Sequence, residues 1–385
     1  MPSFISSSRG GEDVVVTEKK YIPICLVVAV TLVSLIAAAN FIVNPFGIYG
    51  TPVIKGLNDY YPAANAFPRL HKIERVKRVK PEVVIIGSSR ADSGLNPTAA
   101  FFGDARVYNF ALSASTIYEQ RRTLEFAQAV HPLRQAIITL DFFSFNGRRL
   151  ENKQFDEAKL SAAALSPLRS FFDTYGTLAA LDTFTTTLKH LRYIRKPERY
   201  GFSTENGFKN SRDIEYKIAQ QGAGHRFASD PNEDAVRGES GFSFMYGDDP
   251  HNTTFRHLEA MLDFARQNRI DVILLMSPVH KASWKKMEQD GEMAAFLTWK
   301  KRIAAIVEAD GRKHYTAPYP LWDFARLDTS YTTEPIPAAD DVSGRMQWFY
   351  DSSHYKPALG DVIFRCILGK KEEAAEADKF CRRVL

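Results

Sequence analysis

Four short apolar runs, at residues 83–86, 106–110, 135–140 and 272–276, limit what this chain can fold into. Each is short enough for a strand and carries too little charge to lie exposed on both faces, which is the mark of a buried parallel strand. Helical patterns separate them. One is expected over 116–130, where Thr116 and Glu119 have the spacing of a capping box, so the helix should start just after Ser115. Phe255, Leu258, Met261, Leu262 and Ala265 form an apolar stripe at helical spacing, and further helices are expected at 296–309 and 357–368. Strands alternating with helices predict a three-layer α/β/α fold around a parallel sheet. In such sheets reacting groups collect at the carboxyl ends of the strands.

The alternation lapses between about 145 and 250. Helical stretches at 156–165 and 178–191 are followed by a Gly-, Asp- and Ser-rich run at 222–249. This segment reads as an insertion over the strand ends, serving either to shape a substrate groove or only as packing.

Ahead of the α/β body, Tyr21 to Val43 contains no charged residue and is long enough to cross a bilayer as one helix. Lys19 and Lys20 precede it and the next charge is Lys55, so residues 1–20 should stay cytoplasmic with the body on the outer side. This predicts a single-pass protein of the inner (cytoplasmic) membrane with an extracytoplasmic, periplasmic domain. The rival is a cleaved signal peptide with Ala37-Ala38-Ala39 as its cleavage site, which would leave Phe41-Ile42-Val43 as an apolar terminus. Asn44-Pro45-Phe46-Gly47 should break the helix and open a juxtamembrane segment, 44–80. Its second half, 67–80, is helical and basic through Arg69, Lys72, Arg75, Lys77, Arg78 and Lys80. That stripe either meets lipid headgroups or an acidic glycan, or is a solvated helix face.

The remaining 81–369 forms the α/β domain and 370–385 a C-terminal tail. With 385 residues, 45% of them hydrophobic, the chain can bury a full core. Fifty basic against 45 acidic residues leave a net charge of +5 and no basic run on a recognisable nucleic-acid module, so no nucleic-acid partner is expected. Cys25 lies in the apolar segment. Cys366 and Cys381 would either close a short loop in an oxidising compartment or remain thiols. No cysteine–histidine cluster has zinc spacing, and neither a metal nor a cofactor is expected.

Chemistry is concentrated in two places. Val83-Val84-Ile85-Ile86-Gly87-Ser88-Ser89-Arg90 runs a strand into a small-residue turn, and Asp351-Ser352-Ser353-His354 sets an acid and a base three residues apart. A hydroxyl is a weak nucleophile until an imidazole takes its proton, and the imidazole needs a carboxylate to fix its tautomer. Ser89, His354 and Asp351 are therefore the candidate catalytic set. If Asp351 and His354 share one turn, the carboxylate can reach one ring nitrogen while the other points at Ser89.

These segments resemble the SGNH (GDSL-like) hydrolases, in particular the membrane-tethered bacterial branch related to O-acetylation of alginate and other cell-surface polysaccharides. Gly87-Ser88-Ser89 matches the first motif and implies Ser89 as nucleophile. The second is met by the stretch from Asn109 to Thr116, with Ala114 in place of the oxyanion glycine, so the backbone N–H groups of Ser89 and Ala114 are the implied oxyanion donors. Asp351 and His354 meet the last motif in full, and the sequence around them, from Trp348 to Pro357, looks like the polysaccharide-modifying branch. The third motif, Gly-x-Asn-Asp, is not met: Asp141 follows the third strand, and an ionised carboxylate cannot donate. Arg90, Ser144 or Asn146 would have to replace the missing donor. His280, at another strand end, is expected on the rim of the site with a possible substrate contact, and Arg90 either binds an acidic substrate or pairs with a carboxylate. Trp322 and Trp348 either stack on sugars or belong to the core.

The resemblance implies acyl transfer to, or removal from, hydroxyls of an envelope polysaccharide, probed first as acetyl, with an integral membrane partner delivering the acyl group. The alternative, motivated by the missing asparagine, is a non-catalytic scaffold or glycan-binding protein that kept the fold.

Overall fold

The computed structural model describes residues 12–229, 241–369 and 380–385, with backbone only for 12–20. The tails at 1–20 and 370–385 and the run at 222–249 thus lie partly outside the described residues. Helix α1 (Glu12–Val43) contains the span Tyr21–Val43, 23 residues long and apolar enough to cross a membrane, a property that signal sequences share. Helix α2 (Pro68–Val79) follows. The sheet is built from β1 (Val83–Ile86), β2 (Val107–Asn109), β3 (Gln135–Leu140), β6 (Asp271–Met276) and β7 (Leu321–Asp323), in the order β2-β1-β3-β6-β7 with every pairing parallel. A separate two-stranded ribbon, β4 (Phe202–Ser203) and β5 (Lys209–Asn210), belongs to the insertion.

Alternation along each strand divides the core in two. Val84 and Ile86 face one layer, where α2, α4 (Ile117–Val130), α9 (Phe255–Gln267) and α11 (Met293–Lys313) bury Val76, Leu124, Leu262 and Trp299. Val83 and Ile85 face the other, against the short helix α3 (Ser89–Gly94) and α12 (Pro357–Leu368). The C-terminal residues continue past β7: Val384 N–H donates to Leu321 O at 2.7 Å, Asp323 N–H donates to Arg382 O at 2.8 Å, and a disulfide joins Cys366 to Cys381.

Several expectations change. The segment at 156–165 is two 3₁₀ turns, Glu157–Leu160 and Ala162–Leu165, because Ser161 between them is extended. Strand 106–110 is trimmed to Val107–Asn109, helix 178–191 is α6 (Leu181–Tyr193), and helix 296–309 lengthens to α11. The basic face of α2 is not simply solvated. Arg69 and Lys72 are buried, Arg69 Nε at 2.7 Å from Glu119 of α4 and Lys72 Nζ at 2.6 Å from Asp92 of α3. Lys72 Nζ also donates to Ala111 O and Arg69 to Ser113 O, so α2 ties together the two loops that follow β1 and β2. Burial lowers the Lys72 pKa and raises that of Glu119, each against the pull of its partner.

Candidate active site

Ser89 stands at the first position of α3, directly beyond β1. Ser88 caps the helix, its Oγ accepting from Arg90 N–H at 3.3 Å. Gly87 is required here because a Cβ would collide with Thr139 Oγ1 of β3. Buried Asn109 clamps α3 from β2, its Nδ2 donating to Ala91 O at 2.8 Å and Leu95 O at 2.9 Å. At the far end of α3, Gly94 and Gly360 meet so closely that a Cβ on Gly360 would strike Gly94 O and one on Gly94 would strike Tyr355. The helix bearing Ser89 therefore packs directly on the helix that follows His354.

His354, the candidate base, comes from a tight loop. Tyr350 N–H donates to His354 O and Lys356 N–H to Trp348 O, closing 348–356, while Asp351 Oδ1 accepts from the N–H groups of Ser353 (3.1 Å) and His354 (2.7 Å). His354 Nδ1 lies 2.9 and 3.1 Å from the two Asp351 oxygens, and His354 Nε2 lies 2.9 Å from Ser89 Oγ. Two stretches 265 positions apart are thus brought into one hydrogen-bonded line. Asp351 is wholly buried. Burial alone would raise its carboxyl pKa, but the His354 ring and backbone N–H and the Arg226 guanidinium outweigh it and hold the group well below the usual carboxylate range.

Arg226 had no signal in the sequence. It lies on α8 (Ala223–Ala228) of the insertion, 125 positions from Asp351, with Nη2 at 3.0 Å from Asp351 Oδ2. Only the fold makes them neighbours.

Ala114 has φ 58°, the left-handed conformation that glycine adopts without strain. Its loop is pinned to the nucleophile turn through Leu112 N–H and Ser115 Oγ, both donating to Gly87 O. Neither Ser89 N–H nor Ala114 N–H donates to another described residue.

The three candidates for the missing donor separate. Ser144 Oγ donates to Ser115 O at 2.9 Å and accepts from Gln120, a structural role in the β2 and β3 loops. Asn146 Nδ2 donates to Gly241 O, and its Oδ1 accepts from Ser243 N–H and Arg148 N–H, holding the insertion. Of the three, Arg90 is bonded to the His354 loop. Its Nε and Nη2 reach Ser353 Oγ at 3.1 and 2.9 Å, Nη1 pairs with buried Asp141 at 2.8 Å, and the guanidinium lies over the Phe143 ring.

His280 is not a rim residue. It is fully buried, caps α10 (Lys281–Gln289) through Nδ1, and directs Nε2 to Glu334 O at 2.8 Å; burial lowers its pKa. Its backbone N–H and Ser283 Oγ both donate to Ser352 O, so this segment braces the loop that carries His354. Trp322 and Trp348 pack at the edge of the second core layer, Trp348 6.2 Å from Phe380 between ring centres.

A cavity of about 80 Å³ is lined by Arg90 and Ser353, the chain neighbours of Ser89 and His354, and by the rings of Phe142, Phe143, Phe296 and Trp299. Phe242 of the insertion stacks on Phe142 at 4.1 Å, so the insertion supplies one wall. Elsewhere, Asp263, Asp310 and His314 are close enough to share an ion, but Lys313 and Arg266 already pair with the two carboxylates.

Comparison with protein-family models and with curated proteins returns no match for this chain.

Proposed function

We propose that this chain is a membrane-tethered, SGNH-like serine acyltransferase or esterase acting on O-acyl groups, acetyl first among them, of an envelope or exported polysaccharide. The observation that carries the reading is the line Asp351–His354–Ser89, with contacts of 2.9 Å on each side of the imidazole. In this reading His354 Nε2 takes the Ser89 proton as Oγ attacks the acyl carbonyl, and returns it to the departing alcohol. A sugar hydroxyl or water, deprotonated by the same nitrogen, then attacks the acyl-enzyme and releases Ser89. Asp351 keeps the Nδ1 proton in place and stabilises the imidazolium.

Ser89 N–H and Ala114 N–H supply the oxyanion contacts, and Arg90 takes the part of the missing asparagine. A guanidinium has five N–H groups, and its contacts to Asp141 and Ser353 use three of them. Transfer, rather than hydrolysis, is favoured by attachment through α1, which keeps the site near an integral membrane donor of acyl groups; this step rests on the family analogy.

One observation favours the scaffold reading instead: Asp141 occupies the expected place of an amide donor, and Ser144 and Asn146 are engaged elsewhere. A chromogenic acetyl ester, assayed with the wild type, Ser89→Ala and His354→Ala, separates the two. The proposal expects each substitution to remove at least about 10³ of the rate; equal background turnover in all three proteins, with glycan binding retained, would establish the scaffold. With oligosaccharide supplied, mass spectrometry of the sugar distinguishes transfer from hydrolysis.

A further inference from the structure

Two helices of the insertion are built inside out for a water-soluble domain. On α6 the buried face is polar: Thr183, Thr187 and His190 point inward, while Leu181 and Leu188 point outward. Helix α5 (Pro167–Tyr175) repeats the pattern, burying Thr174, whose Oγ1 donates to Glu74 at 2.7 Å, and exposing Leu168, Phe171 and Phe172. These five apolar side chains are between 45% and 71% exposed. Scattered single exposures need no explanation, but large apolar side chains exposed together on two successive helices do.

Their position supplies it. Helix α6 packs on the C-terminal part of α1, where Asn40 is the joint: its Nδ2 donates to Leu178 O at 2.7 Å and its Oδ1 accepts from Thr187 Oγ1 at 2.8 Å. The last two turns of α1, from Ile36 to Val43, are the part of the span that the domain covers, and at about 5.4 Å per turn they reach only some 11 Å back into the span. The loop after α1 folds back to the same level, Asn58 Nδ2 donating to Ile42 O and leaving Ile54 exposed. Lys189, Arg192, Arg195 and Lys196 are exposed on the C-terminal part of α6 and just past it, and would suit anionic headgroups.

The geometry points to a lipid surface as the occupant: with α1 across the bilayer, α5 and α6 lie in the headgroup and upper acyl region, Leu and Phe downward, as an interfacial platform that fixes the domain's tilt. Helix α6, which carries part of this apolar surface, packs on a span that requires lipid, which favours a bilayer over a protein partner. This inference rests on α1 inserting and is independent of the acyl-transfer reading.

The test uses the full chain with Cys25→Ser, reconstituted in vesicles of phosphatidylcholine and phosphatidylglycerol. Single nitroxide labels are placed at Phe171→Cys, Leu188→Cys, Val30→Cys within the span and Tyr315→Cys, which is 97% exposed on the body. Labels at Phe171 and Leu188 are expected to collide several-fold more with oxygen, which partitions into lipid, than with a water-soluble nickel complex, as at Val30 and opposite to Tyr315. Nickel-dominated collisions at Phe171 and Leu188 overturn the proposal, as does a water-exposed Val30. Labels shielded from both reagents would mean that a second copy covers the face, which also overturns it.

Discussion

Two arginines hold two buried aspartates at the carboxyl end of the sheet, but they come from different layers of the design. Arg90 follows Ser89 on α3, pairs with Asp141 at the end of β3, and reaches across to Ser353 in the His354 loop. Arg226 arrives from the insertion and touches only the far oxygen of Asp351, whose near oxygen already accepts three N–H groups if His354 carries its proton on Nδ1. The first pair is part of the frame that joins Ser89 to His354. The second adds a positive charge behind an acid that is already oriented. Position in the network, not the residue types, sets what each pair does.

Matched substitutions should break this parallel. The largest difference is expected from Asp→Asn at the two sites. Asp351→Asn presents an amide to His354 Nδ1 and favours the wrong tautomer, so kcat for a chromogenic acetyl ester should fall by roughly 10⁴, whereas Asp141→Asn keeps an oxygen for Arg90 and should stay within about tenfold. Removing the cations comes next. Arg90→Met leaves Asp141 buried without its partner and should cost about 3–5 kcal/mol in denaturant unfolding, with a rate loss of about 10²–10³ if its N–H groups serve the oxyanion. Stability restored by Asp141→Asn in the same chain, without restored rate, would assign the rate loss to Arg90 itself.

Arg226→Met is expected to act more gently. Without that charge one of the groups that hold the Asp351 carboxyl low is lost while His354 still orients it, so kcat should fall severalfold, within about tenfold. An unchanged kcat would mean that Arg226 serves only to dock the insertion. The smallest effect is on acid stability. Because the folded Asp351 carboxyl is depressed, its ionisation contributes stability that is fully present above the unfolded value of about 3.9 and is lost as pH falls toward the folded one. The melting-temperature advantage of wild type over Arg226→Met, measured at pH 7, should therefore narrow below about pH 4.

The sequence carried the frame better than its braces. Strand Gln135–Leu140 and helix Pro357–Leu368 stand where their patterns put them, since each is a continuous apolar signal with a clear end. Leu321–Asp323 escaped notice because three residues after a proline make no periodicity, and α3 did because Ser, Asp and Gly read as turn residues until the strand beside them fixes the helix. The Ser89, Asp351 and His354 set was legible as spacing within each segment, but their 2.9 Å meeting depends on the Gly94–Gly360 contact, which no local pattern records. Buried charges were the least legible. Arg69 and Lys72 look like surface cations until Glu119 and Asp92, 50 and 20 positions away, fold against them. His280 likewise reads as a rim residue until its acceptor, Glu334 O, which belongs to a distant loop, folds against it.

The covered flank of β7 has a consequence for how the protein can be made. Residues 382–385 hydrogen-bond along β7, and the Cys366–Cys381 bond secures them to α12, closing a loop of a length for which such a clip contributes about 3 kcal/mol. A chain produced in a reducing cytosol would lack that clip and could bare a row of unpaired amides, the template on which sheets grow from one molecule into the next. Yield of dispersed protein should then follow the oxidant of the expression host more closely than its temperature or its detergent.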